Sequence, residues 1–170
     1  MVSITEENIV EKGREQLEKW GEQISKKQTQ KRPLSKYKYL TPEEKRKLNK
    51  KGCYLVYLGE DSKTPIYIGS NSSEGKTVRN RIYQIQRCGS HPLPYRMISE
   101  HLKRGIFGKL TEKEKKSDRY KKWFKKECIP KLYYSVIEER KNPLLLEAGL
   151  IFLFKSKYNN ESKDFGKMKD

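Results

Sequence analysis

Apolar positions along the chain fall into short groups, and their spacing changes several times between residues 50 and 160. Gly52-Cys53-Tyr54-Leu55-Val56-Tyr57-Leu58 is an aromatic and β-branched run that stops at the turn-like Gly59-Glu60-Asp61-Ser62-Lys63. Pro65-Ile66-Tyr67-Ile68-Gly69 follows at once, which predicts an antiparallel hairpin. Val78, Ile82 and Ile85 then recur at helical spacing and predict an amphipathic helix over residues 76–86. Residues 87–94, with Gly89 and two prolines, predict a loop, and 95–104 and 111–128 predict two more helices. Leu132-Tyr133-Tyr134-Ser135-Val136-Ile137 reads as a third strand. Asn142-Pro143 supplies an N-cap and first-turn proline for a helix from Leu144 to about Phe154. Its apolar residues run nearly all the way round, which predicts the central buried helix of the fold.

The first third of the chain has a different texture. Residues 5–30 are rich in Glu, Lys and Gln with few apolar anchors (Ile9, Leu17, Trp20, Ile24), the pattern of a weakly packed helix. Between Lys26 and Lys50 there are ten Lys or Arg and two acids, with Tyr37 and Tyr39 interleaved. Thr41-Pro42-Glu43-Glu44 combines an N-cap, a proline at the first helical position and acids in the first turn, so a short basic helix starts there. A second basic stretch, Lys103 to Lys131, holds twelve bases against four acids, with Tyr120, Trp123 and Phe124 among them.

Charge turns these observations toward a partner. The 170 residues carry 39 Lys+Arg against 22 Asp+Glu, a net charge of +17, which favours polyanions or acidic membrane surfaces. No apolar run approaches the roughly 18–20 residues that span a bilayer, and no amphipathic helix pairs one large apolar face with a basic one. The start, Met1 to Gly13, has neither a basic nor a hydrophobic leader segment, so the expected location is cytoplasmic (host cytoplasm if the protein is viral). Three scattered cysteines (Cys53, Cys88, Cys128) without a CxxC pair, and two histidines (His91, His101), argue against a zinc module. Cys53, inside a strand-like run, reads as a small buried hydrophobe.

Certain residues go beyond patterning. Gly52-Cys53-Tyr54, twelve residues, then Tyr67-Ile68-Gly69 resembles the paired motifs that name the GIY-YIG nuclease superfamily. Val78-Arg79-Asn80-Arg81-Ile82 is similar to that family's arginine helix, and Leu146-Glu147-Ala148-Gly149 with Tyr158-Asn159 to its closing glutamate helix and asparagine. Order and spacing carry the resemblance, since a lone tyrosine-isoleucine-glycine is common in β proteins. Two departures stand out: Cys53 replaces an isoleucine, and Ile85 occupies the position four after Arg81 where many members carry histidine or tyrosine.

The resemblance covers about residues 51–160 and implies an α+β fold, a small three-stranded antiparallel sheet flanked by helices. Residues 1–50 would form a basic helical arm, about 87–130 a helical insertion, and 161–170 a polar tail. It implies a metal-dependent DNA endonuclease hydrolysing phosphodiester bonds, restriction-like or a stand-alone phage or viral enzyme. The reaction needs an activated water, a cation against the developing phosphorane charge, and help for the leaving oxygen. By carry-over, Tyr54 orients or deprotonates the water and Tyr67 holds water or phosphate. Arg81 clamps phosphate oxygens, Glu147 holds a single Mg²⁺ or Mn²⁺ per active site, and Asn159 braces the network. Arg79 is the alternative arginine, with Tyr83 four residues on but polar flanks. Lys45, Arg46, Lys47, Lys76, Arg79, Lys121, Lys122, Lys125 and Lys126 are the candidate DNA contacts. No organic cofactor and no membrane are implied, and a homodimer is compatible with cutting both strands. The competing readings are a non-catalytic nucleic-acid-binding module on the same fold and a structure-specific nuclease of repair or recombination.

Overall fold

The computed structural model describes residues 15, 19, 20, 22, 23, 26, 28–71, 77–101 and 118–159. Strands β1 (Arg32–Pro33), β2 (Gly52–Leu58), β3 (Tyr67–Asn71) and β4 (Leu132–Glu138) form one antiparallel sheet in the order β1-β4-β2-β3. The helices are α1 (Pro42–Lys47), α2 (Val78–Gln86), α3 (Pro92–His101), α4 (Asp118–Trp123) and α5 (Pro143–Phe154).

The α+β class is therefore observed, with four strands rather than the expected three. The additional strand is only two residues long. It pairs Arg32 with Tyr134 and Pro33 with Tyr133, and a proline is tolerated there because β1 lies on a sheet edge. Beside it the Thr29 N–H donates to the Val136 carbonyl at 3.0 Å, and the Val136 N–H to Thr29 Oγ1 at 2.9 Å. Leu34, Tyr37 and Leu48 are buried in the same core as the sheet, so packing continues without a break across residue 50.

Alternation along the strands gives the sheet two apolar faces. Tyr54, Val56, Tyr67, Tyr134 and Val136 pack with Val78, Ile82 and Ile85 of α2 and Leu93 and Ile98 of α3. Cys53, Leu55, Tyr57, Ile68 and Ile137 face the other way, against Leu146 and Leu150 of α5. Helix α5 thus presents one face to the sheet and is not the centrally buried helix its composition predicts. Leu144 and Leu145 on its far side are 59 % and 58 % exposed.

Local signals explain most element ends. Thr41 caps α1 in a reciprocal capping box, with its side chain accepting from the Glu44 N–H and Glu44 accepting from the Thr41 N–H. Helix α3 begins at Pro92, inside the segment expected to be a loop. The first N–H groups of a helix need no intrahelical acceptor, so Pro92 and Pro94 both fit its first turn. After α4 the chain widens into a π-helical turn, Phe124–Cys128, then a 3₁₀ turn, Ile129–Lys131, instead of one continuous helix. The part of the expected 111–128 helix before Asp118 lies outside the described residues, as do most of residues 5–27 and the tail after Asn159.

Candidate active site

Strand β3 is the free edge of the sheet beside β2, and the candidate residues gather around it. Tyr54 of β2 stands opposite Gly69 of β3 in register, and both Tyr54 and Tyr67 turn toward α2 and α3. Their rings lie 6.2 Å apart between centroids, inclined by 30°. Gly69 is required by this arrangement. A Cβ at that position would sit 2.3 Å from the Tyr54 hydroxyl oxygen, because the Tyr54 ring crosses directly over the glycine.

Behind the tyrosines is a residue that the linear pattern does not announce. Tyr54 Oη and His91 Nε2 are 2.6 Å apart and buried, and the His91 ring lies 5.3 Å from that of Tyr67. The Leu93 backbone N–H donates to His91 Nδ1 at 3.1 Å, so Nδ1 is unprotonated and the proton of neutral His91 resides on Nε2. The imidazole therefore donates to the Tyr54 oxygen. Burial, reinforced by the positive charges of Arg81 and Arg96, pushes the His91 pKa down to about 3 and keeps the ring neutral. Tyr54 and Tyr67 also interact with one another, each shifting the other's acidity.

Both phenols are held protonated. Burial raises the Tyr54 pKa well above its ordinary value, the negative forms of Tyr67 and Glu147 add to that, and Arg81 opposes it. Tyr67 is raised chiefly by burial, then by Glu147, with Arg96, Tyr54 and Arg81 pulling the other way.

Arg81 emerges from the first turn of α2, where Val78, Ile82 and Ile85 anchor the helix to the sheet. Its Nη1 donates to Gln84 Oε1 at 3.2 Å, while its Nε is buried without a hydrogen-bond acceptor. A buried guanidinium donor left open is costly unless a ligand oxygen completes it. Its charge reaches Tyr54, Tyr67, His91 and Glu147. Arg79, the alternative, is exposed and faces the other way, toward Tyr37, whose hydroxyl donates to the Arg79 carbonyl at 3.2 Å.

Glu147 approaches β3 from the opposite face. Ser70, pointing toward α5 by strand alternation, donates to its carboxylate through hydroxyl and backbone N–H. Burial raises the Glu147 pKa, and the Ser70 hydrogen bonds and Arg81 counteract it. A carboxylate offers about four acceptor positions, so these donors leave room for a cation. Among the described residues there is no group of three or more His, Cys, Asp or Glu that could cage a metal. The donor set is one carboxylate at an open edge, which fits Mg²⁺, an ion that keeps several waters and takes its remaining oxygens from substrate phosphate.

Asn159 lies beyond α5 and reads the backbone of Ile68. Its Oδ1 accepts from the Ile68 N–H and its Nδ2 donates to the Ile68 carbonyl, each at 2.7 Å. The Ser156 hydroxyl donates to the same Oδ1 at 2.6 Å. Asn159 thereby ties the α5 terminus to β3 between Tyr67 and Gly69. Tyr158 next to it is buried in the core, and its carbonyl accepts from Arg96 of α3.

The basic candidates divide. Arg46 and Lys47 are exposed on α1 and Lys45 is half-buried, with Lys47 paired to Glu43 at 3.2 Å. Lys122, Lys125 and Lys126 are exposed, and Lys121 pairs with Asp118 at 3.4 Å. Lys76 lies outside the described residues. Of the aromatics in the basic stretches, Tyr37, Tyr120 and Phe124 are buried in the core, whereas Tyr39 is 73 % exposed.

His91, Ser70 and Arg96 were not among the residues singled out from sequence. The only prior sign of His91 was a histidine in a Gly-Ser-His-Pro turn, without a motif around it. Among the described residues no helix is long and apolar enough to cross a membrane. Compared with protein-family models, with curated proteins and with solved structures, the chain matches none.

Proposed function

We propose that the protein is a metal-dependent DNA endonuclease of the GIY-YIG type that hydrolyses phosphodiester bonds, restriction-like or a stand-alone viral enzyme. The observation that carries this reading is the gathering of Tyr54, Tyr67 and Arg81 on one face of β2 and β3, with Glu147 reaching β3 from the other face within range of their charges, although the four come from four elements and lie up to 93 residues apart. Two phenols, an incompletely hydrogen-bonded guanidinium and a carboxylate whose pKa burial raises, all within electrostatic reach around β3, are suited to binding and cleaving a phosphodiester.

Each residue has a task that follows from its surroundings. The open Nε of Arg81 would donate to a non-bridging phosphate oxygen and stabilise the charge that grows there. Glu147 would hold the Mg²⁺ or Mn²⁺, with Ser70 fixing the carboxylate plane. When bound, such a cation supplies positive charge against the phosphorane and acidifies a neighbouring water.

Tyr54 rests as a phenol. Its position between His91 and Tyr67 suits it to orient the attacking water and to act as base only when added positive charge offsets its burial. His91 Nε2–H would then stabilise the phenolate by donating to it. The neutral imidazole is arranged as a donor here, not as the acceptor of the tyrosine proton.

The reading is tested by incubating the purified protein with supercoiled plasmid and Mg²⁺ or Mn²⁺, with and without EDTA. Nicked or linear product that EDTA abolishes is expected. DNA binding without cleavage of single-stranded, duplex or branched substrates, with either metal, would replace it by the non-catalytic binding module.

A further inference from the structure

Helix α2 has a second functional face. While Val78, Ile82 and Ile85 point into the core, Tyr83 and Arg87 share the outer side one turn apart. Arg87 Nη1 donates to the Tyr83 hydroxyl at 2.7 Å, and the guanidinium lies 5.3 Å from the Tyr83 ring centroid. The helix ends in a tight reversal. Cys88 takes a φ of 53°, and the Gly89 N–H donates to the Gln84 carbonyl at 2.8 Å. The reversal sends His91 inward to Tyr54 and leaves Gly89 and Ser90 lining a cleft.

This cleft, of about 550 Å³, lies between α2, α3 and the α4 turn. Its volume is within the roughly 300–1,000 Å³ of ligand sites. Tyr83 and Tyr95 provide phenol rings, Arg87, Lys121 and Lys125 provide cations, and Gln84 forms the wall nearest Arg81. Asp118 at the rim is the one acid among the lining residues and is 88 % exposed at its side chain, so its pairing with Lys121 gives way readily to an incoming anion.

We propose that this cleft receives one unstacked nucleotide of the substrate strand, its phosphate on Arg87, Lys121 and Lys125 and its base against the Tyr95 ring. The inference rests on the nuclease reading and specifies its substrate class: DNA in which a base is already free, such as a flap or a mismatch. The placement supports it. Arg81 and Arg87 are six residues apart on one helix, a rise of about 9 Å, so cleft and candidate cutting site lie within one short stretch of substrate strand. Gln84, which accepts from Arg81 and lines the cleft, connects cleft and cutting site. Stacking on phenol faces tolerates any base, and extrusion is least unfavourable where pairing is already lost.

The test uses full-length protein carrying Glu147→Gln, without metal, and duplexes bearing a short flap with 2-aminopurine at successive flap positions. One position should lose fluorescence at least about threefold on binding, the mark of stacking on an aromatic ring. Tyr95→Leu in the same background should restore the fluorescence and Tyr95→Phe should not. Lys125→Ala, at an exposed position, should weaken flap binding more than binding to a continuous duplex. Equal fluorescence at every position, or quenching unchanged in Tyr95→Leu, overturns the proposal. Quenching reversed by free deoxyadenosine monophosphate below the dissociation constant of the flap also overturns it, since the occupant would then be a free nucleotide. The signal needs no cleavage, so an inert wild-type enzyme leaves it standing, and its failure leaves cleavage standing.

Discussion

His91 Nε2 lies 2.6 Å from the Tyr54 hydroxyl oxygen, inside the core and with its other ring nitrogen already accepting from the Leu93 N–H. A charged imidazole has no place there. With a folded pKa of about 3 against an ordinary 6.5, the unfolded chain binds the proton more readily between those values. The stability that His91 contributes is complete above about pH 6.5 and is lost as pH falls toward 3, by up to about 1.4 kcal/mol per pH unit. Urea unfolding between pH 7 and pH 4 should show this slope, and His91→Gln should flatten it. An unchanged slope in the variant would show that His91 is not buried neutral.

Gly69→Ala places a methyl group 2.3 Å from the Tyr54 hydroxyl oxygen and 2.4 Å from its Cζ. The ring has to move, and the bond to His91 is lost with it. A destabilisation of about 1–3 kcal/mol is expected, as for other overpacked cores, together with loss of cleavage. Thermal unfolding and a nicking assay measure the two effects separately.

The two arginines of α2 make opposite predictions. Arg81→Ala removes the buried, open donor at the site and should lower the cleavage rate about 10²–10³-fold. Arg79→Ala removes an exposed side chain and should change it less than about threefold, mostly by weakening DNA binding at higher salt. Rate constants for both variants on one labelled duplex settle which arginine acts.

Glu147 has a folded pKa above its ordinary value, so the native state favours its protonated form. Its charge opposes folding, and that penalty grows as pH rises from the unfolded pKa through the folded one. Glu147→Gln keeps an acceptor for Ser70 and should be more stable than wild type at pH 7, with the difference shrinking toward pH 4. A variant less stable than wild type at pH 7 would contradict the burial cost assigned to the carboxylate.

The residues that repeat with a clear period were legible in the sequence. The β2–β3 hairpin follows two runs around a polar turn, and α2 follows Val78, Ile82 and Ile85. Thr41 and Asn142, each before a proline, stand at the N-caps of α1 and α5. What could not be read depended on distant partners. Pairing of Arg32 and Pro33 needs the edge of β4 a hundred residues away. The one-sided packing of α5 is hidden in a composition that is apolar on both sides. At the candidate site, the inward placement of Arg81 beside an exposed Arg79 follows from the apolar residues flanking Arg81, because Val78 and Ile82 face the sheet. His91 was not legible, since its partner Tyr54 lies 37 residues earlier and its turn carries no pattern.

Wild type is compared with Tyr54→Phe and Glu147→Ala on one end-labelled duplex bearing a flap, at fixed Mg²⁺. Phenylalanine keeps the ring over Gly69 and removes only the hydroxyl between His91 and Tyr67. Cleavage by wild type, reduced at least about 10²-fold in both variants while DNA affinity stays within a few-fold, is the predicted result. Wild-type cleavage that survives unchanged in either variant would place the chemistry elsewhere in the chain.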